Sequence, residues 1–327
     1  MSDVRVPPLP EAQVRPDEQS RISDLSYRNY DGPLKPRFVR WWIVAKAGLQ
    51  LTWGQWWFYL IALLPLFRFL LAGFLMFLRT QLGAPQQTFV DEPEGQRFAL
   101  QFWSVLCGDT NSLFLLVIAL TAGAGCISAD NRANALLVYL SKPIGRIDYI
   151  LGKWMSIFLT LLSVALVPTA LLYLFALISY RDDGFLKTEP WLGPRLLIAV
   201  TVPAVIHASL IVGISAWSKS ARIVSAIYTS VYILGGVLAS ICGGILYKDK
   251  PEIQNVIQHL SLRGLIIGID QNVLHVVVPI IRLSRFAPQE TVDIPKLWPL
   301  LTMAGVLVIG SLAAAWIKIR AVEVVRG

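Results

Sequence analysis

The sequence predicts an all-α membrane protein, and three observations carry that prediction. Hydrophobic residues make up 55% of the 327-residue chain, charged residues only 15%, and long uncharged apolar runs recur along its length. Soluble domains carry roughly a quarter charged residues. Charge is costly in hydrocarbon, so the deficit and the mean hydropathy of +0.59 fit a chain whose side chains mostly face lipid.

The formal charge of +8 does not point to nucleic acid, because the Lys and Arg residues fall between apolar runs rather than on one soluble face. They set topology instead. Three cysteines, Cys107, Cys126 and Cys242, show no paired spacing, which argues against a disulfide framework or a zinc site.

Residues 1–34 are polar and rich in Pro and Arg, and they read as a flexible cytoplasmic tail with no cleavable signal sequence. Residues 35–56 mix Trp41, Trp42, Trp53 and Trp56 with Arg37, Arg40 and Lys46, the composition of an amphipathic helix lying in the cytoplasmic interface. Crossing the hydrocarbon takes about 20 apolar residues in a helix. Six runs meet that length: residues 57–78, 103–127, 154–178, 196–217, 223–246 and 297–317. Residues 318–327 form a second cytoplasmic tail.

Orientation follows from the basic flanks. Lys35, Arg37, Arg40 and Lys46 precede the first span, and Arg132, Lys142, Arg146 and Lys153 fill the connection between spans two and three. Lys219 and Arg222 sit between spans four and five, and Lys318, Arg320 and Arg326 follow the last. These regions alternate as a six-span chain requires, and positive flanks stay cytoplasmic. Both termini are therefore expected in the cytoplasm of a bacterium, with the spans in its inner membrane. Within residues 252–285, the stretch 264–281 is apolar but broken by Asp270, Gln271, Asn272 and His275, and a seventh span would put the tail outside. Short outer helices, re-entrant or interfacial, are expected there. Trp56, Trp57, Trp103, Trp154, Trp191, Trp217 and Trp298 lie at span ends, as an aromatic belt does.

Several polar or small residues within spans are candidate functional positions. Arg68 falls midway through the first span, where it either serves a gate or subunit interface or pairs structurally with a carboxylate such as Asp109. Asp109 is itself either part of an outer gate or the cap of a shorter helix. Gly236, Ser240 and Gly244 repeat at four-residue spacing and line one face of the fifth span, a pattern that permits close packing within the chain or between copies. His207 is the lone ionisable group of the fourth span. No catalytic constellation and no metal or cofactor site can be assembled from the scattered acids, hydroxyls and histidines.

The most informative segment is ISADNRANALLVYLSKPIGRIDYILGK, residues 127–153. It can hold a helix over about residues 129–146 that offers Asp130 and Arg132 to a soluble partner while Leu137 and Leu140 rest on the bundle. This stretch resembles permeases of the ABC-2 family, whose second and third spans are joined by an acidic-basic element followed by Ser-x-Pro-Ile/Val-x-Arg and Gly-Lys. Ser141, Pro143, Ile144, Arg146, Gly152 and Lys153 match that pattern, whereas Asp130 stands where Glu is usual and Asn134-Ala135 where Gly-Thr is common.

The resemblance extends over residues 36–327 in topology. It implies a permease, dimeric with a second copy of itself or a relative, docked on a cytoplasmic ABC ATPase subunit through a coupling helix comprising Asp130, Arg132, Leu137, Leu140, Ser141, Pro143 and Arg146. ATP and Mg would belong to that partner. Gly152-Lys153 lacks the upstream glycine of a phosphate-binding loop and is followed by Trp154 rather than a hydroxyl, so this chain is not expected to be an enzyme. The implied activity is export of a substrate across the plasma membrane, or its extraction from it, with a lipidic or amphipathic cargo favoured by the apolar spans. The alternative is a membrane anchor that moves nothing and transmits ATP-driven force to periplasmic partners.

Overall fold

The computed structural model of the chain describes residues 39–81, 109–135, 144–181, 185–243, 259–276 and 296–324, with the single positions 253, 256 and 257. Among the described residues the structure is helical, with no strand. Ten helices follow one another in the described parts: α1 Arg40–Trp53, α2 Trp56–Gln81, α3 Asp109–Gly123, α4 Ser128–Arg132, α5 Arg146–Ser179, α6 Phe185–Thr188, α7 Leu192–Ala216, α8 Ala221–Ile241, α9 Leu262–Leu274 and α10 Leu297–Val324. Among the described residues, six segments are long and apolar enough to cross a membrane: Trp56–Leu78, Leu113–Arg132, Arg146–Ser179, Leu192–Ala216, Ala221–Ile241 and Leu297–Ile319.

The spans predicted from hydropathy and these helices coincide except at their ends. The third starts at Arg146 rather than near 154 and runs for 34 residues, about 50 Å at 1.5 Å per residue. It reaches well beyond the hydrocarbon. Its first turns carry Arg146, Asp148 and Lys153, charges that lower local hydropathy without stopping a helix, because Asp148 Oδ2 accepts from the Gly145 amide at 3.0 Å and caps the start. The helix of the second span is described from Asp109 onward, and the predicted residues 103–108 lie outside the described residues.

The fourth span is the axis of the bundle. Of its apolar window 61% is buried, against 17% for α2 and for α10. Its residues at the contacts are small or β-branched, among them Ala199, Val200, Ala204, Ile211 and Val212, so α3, α5, α8, α9 and α10 all pack against it. The outer faces of α2, α8 and α10 carry exposed Leu, Ile, Val and Phe such as Leu64, Phe67, Leu234 and Val306. Exposed apolar side chains in that density are stable only against lipid or another protein.

The helix α1 lies along the first half of α5, and small residues let the backbones meet. A side chain on Gly152 would put its Cβ 2.5 Å from Val44 Cβ and 2.7 Å from the Trp41 carbonyl oxygen, and one on Gly48 would lie 2.5 Å from Ser156 Oγ. Val44 and Ala45 are buried on that face while Trp42, Ile43 and Trp53 are exposed on the other. Of the residues 35–56 expected to form an interfacial helix, α1 covers Arg40–Trp53.

The segment anticipated as short outer helices is described over α9. This helix has 13 residues, about 20 Å, too short to cross. Ser261 Oγ accepts from the Gly264 amide at 3.0 Å to start it, and His275, at φ 53°, ends it. Leu265, Ile269 and Leu274 are buried on α7, α8 and α10. It lies where α8 ends and α10 begins, with Arg263 beside Gly236 and Leu300 beside Gly268. That is the opposite end of the bundle from α4 and the turn after α7.

Candidate functional site: the connection between the second and third spans

After α3 the chain makes a tight turn and a single turn of helix, α4. Ser215, near the end of α7, holds that turn: its fully buried hydroxyl accepts from the amides of Ile127 (3.1 Å) and Ser128 (3.0 Å) and donates to the Ala124 carbonyl (3.0 Å). Those amides begin a helix and have no partner within it. Asn131 adds a second tie, its Nδ2 donating to the carbonyls of Ala216 and Ser218 at 2.9 and 3.1 Å. The connection is thereby fastened to the end of the fourth span.

Asp130 fastens it to the third. Its Oδ2 accepts from the Tyr149 hydroxyl at 2.6 Å and from Lys153 Nζ at 2.7 Å. Tyr149 is fully buried, and the Asp130 and Lys153 side chains keep only 17% and 12% exposure. Both donors lie on one face of α5, four residues apart, so a single carboxylate bridges them. The expected role of Asp130 as a group offered outward is thus joined by an internal one.

The outward surface is formed by the neighbouring residues. Arg132, Ala133 and Asn134 are exposed, and so is Ile147 at the start of α5. Asn134 has φ 51°, the left-handed region that Gly and Asn tolerate best. That is the physical reason Asn can stand at this position where Gly is common in the pattern noted above. Arg146 is half-buried at the first turn of α5.

The predicted helix over residues 129–146 is described only at its two ends, as α4 and as the first residue of α5. Leu137, Leu140, Ser141 and Pro143 lie outside the described residues, as does Gly244. Of the candidate gate and interface residues, Arg68 is half-buried on α2 and Asp109 is the first described residue of α3. Gly236 and Ser240 lie on a stripe that no other span approaches closely among the described residues: the nearest outside atom to a Cβ on Gly236 would be Arg263 Cδ at 3.9 Å, and Ser240 is exposed with its hydroxyl on the Gly236 carbonyl.

Sequence reasoning missed the partners that make the connection rigid. Ser215, Asn131 and Tyr149 are ordinary residue types there, and only their juxtaposition marks them. His207 likewise finds its role in packing: Nδ1 is 2.5 Å from the Tyr228 hydroxyl, and the Tyr232 ring lies 5.7 Å away, a buried polar pair joining the fourth and fifth spans.

The family model described as ABC-2 family transporter protein matches residues 41–317, from α1 into α10 and so across all six candidate spans. No curated protein matches the chain.

Proposed function

The chain belongs to the ABC-2 transporter family and is a transmembrane component of an ABC transporter, and from that premise we propose that it is the permease subunit of an exporter driven by a separate cytoplasmic ATPase. In this reading ATP and Mg are held by the ATPase, two permease copies form the transport unit, and both termini face the cytoplasm of a bacterium. The unit exports a substrate across the plasma membrane or extracts it from the membrane as the copies alternate between two arrangements. The apolar spans favour a lipidic or amphipathic cargo.

The observation that carries the proposal is the connection itself. An exposed turn at Arg132–Asn134 is fixed to α5 through Asp130 and to α7 through Ser215 and Asn131. A partner pressing on that turn moves two spans together. Nucleotide then drives the permease only to the extent that the ATPase docks differently on its two conformations.

The test is co-purification with candidate ATPase subunits, followed by hydrolysis measurements with Arg132→Glu and Arg146→Glu. Loss of binding or of permease-stimulated hydrolysis, with the protein still folded, is the expected result. Unchanged binding and stimulation in both variants would remove the ATPase from this surface.

A further inference from the structure

Beyond the connection, the same end of the bundle holds a groove with an unusual division of polarity. The fourth and sixth spans touch at its floor, where a Cβ on Gly213 would lie 2.9 Å from both Ser311 Cβ and the Ser311 carbonyl. The fifth span stands away from them, leaving a volume of about 710 Å³ between α7, α8 and α10. Its walls are Ile223 and Ile227 on one side and Val306, Leu307 and Gly310 on the other. From Ala314 to Val306 it follows α10 for about 12 Å of helix.

Apart from Ser311 on the floor, whose hydroxyl donates to the Leu307 carbonyl at 2.6 Å, polar side chains are confined to one end. There Trp217, Ser218 and Lys219 close the groove, the Lys318 ammonium sits 5.4 Å from the centroid of the Trp217 ring, and the Trp217 indole donates to the Ala314 carbonyl at 3.2 Å. Lys219 is exposed, and Arg222 is exposed on the first turn of α8. The groove is open along its side, with Ile223, Ile227 and Val306 each about half exposed or more.

We propose that this groove is a binding site for an anionic glycerophospholipid, with an acyl chain between α8 and α10 and the headgroup phosphate at Lys219 and Lys318. The occupant follows from the charge and the shape. A ligand here must be hydrocarbon over most of its length and anionic at one end, and it must enter sideways from the bilayer. A soluble metabolite would find no charged group along the walls, and only the Ser311 hydroxyl, already committed to the Leu307 carbonyl, on the floor. Tryptophan belongs at headgroup depth, which sets Trp217 and its two lysines at the level of lipid phosphates, and basic pockets between spans take anionic headgroups. The volume lies within the roughly 300–1,000 Å³ of small-molecule sites.

Gly310 makes the site testable without damage to the fold, because a side chain there meets no atom within 4 Å. Gly310→Leu fills the groove, and Gly235→Leu, equally open but on the fifth span away from the groove, is the control. The full-length protein is purified in mild detergent and its bound lipids are identified by native mass spectrometry. It is then delipidated and titrated in nanodiscs with phosphatidylglycerol and with phosphatidylcholine, each carrying one labelled chain.

Wild type and Gly235→Leu are expected to retain an anionic lipid and to prefer phosphatidylglycerol. Gly310→Leu loses bound lipid of either kind. Lys219→Gln and Lys318→Gln each lower the preference for the anionic lipid about fivefold while leaving acyl binding. Retention of the same lipid by Gly310→Leu, an unchanged preference in the lysine variants, or no retained lipid in the wild type would overturn the proposal. So would a disulfide between two chains carrying Val306→Cys, in a background with the native cysteines replaced by serine, since it would put a second copy in the groove.

Discussion

Replacing Asp130 and Lys153 singly and together tests whether the connection and the third span move as one body. Asp130→Asn keeps an oxygen that can accept from Tyr149 but removes the charge, and Lys153→Met keeps most of the apolar stem. At 2.7 Å and an effective dielectric near 20, the pair attracts by about 6 kcal/mol before desolvation. Its side chains keep 12% and 17% exposure. It therefore falls between exposed pairs, worth about 0–1 kcal/mol, and buried ones, where removing one partner costs about 3–5 kcal/mol. A net coupling of about 2 kcal/mol is expected. Equilibrium unfolding in mixed detergent micelles, followed by tryptophan fluorescence, gives the three free-energy differences. The double variant should be less destabilised than the sum of the singles by that coupling. Additivity within about 0.5 kcal/mol would refute the reasoning, because independent sites add to that accuracy.

Three further outcomes follow from the packing. Gly152→Leu forces α1 off α5, because a Cβ there meets the Trp41 backbone; a cost at or above the usual 1–3 kcal/mol of overpacking is expected, read as a lowered thermal midpoint. Protease cleavage within α1 should rise in parallel. Ser215→Ala removes the acceptor for the Ile127 and Ser128 amides, at about 1–3 kcal/mol for each amide left buried without a new partner; hydrogen exchange should quicken at residues 124–132 before it does elsewhere. His207→Leu strands the buried Tyr228 hydroxyl and should cost about 1–3 kcal/mol. Adding Tyr228→Phe should return part of that loss, and a double variant less stable than His207→Leu would contradict the pairing.

The spans were legible because lipid imposes a demand that hydropathy reads directly: about twenty residues without charge. The ends of the spans were not. Lys153 looks like a boundary in any local window, yet it continues α5 because Asp130, in a different element, matches its charge. Gly152 and Lys153 could be matched to a family pattern from sequence. What they do could not, since Gly152 is required by the approach of Val44 and Trp41, far away in the chain. Asn134 was visible as a departure from the pattern, and its φ of 51° turns that departure into an equivalent choice. The Gly236 and Ser240 stripe is legible as a pattern but not as a contact. Small residues at four-residue spacing permit close packing within the chain or between copies, and among the described residues no other span approaches Gly236, so spacing alone does not say which surface meets which.

The arrangement of ties also decides where a force applied to the connection would go. The turn at residues 124–132 is continuous with α3, but its side-chain bonds run to α5 and α7. Both of those helices are held by others along their length: α5 by α1 and α2, α7 by α3, α8, α9 and α10. Displacement of the turn is therefore not taken up by bending one loop. It loads the pair α5 and α7, whose cores are close-packed and resist continuous deformation. The helices α2 and α8 expose far more of their surface and pack on fewer neighbours, whereas α10, though exposed on its outer face, is tightly packed on α7 through Gly213 and Ser311. Under the proposed function, a push at Arg132–Asn134 would be passed to α5 and α7 through these ties, and the Asp130–Lys153 and Ser215 contacts are the points at which cutting one bond should separate the push from the response.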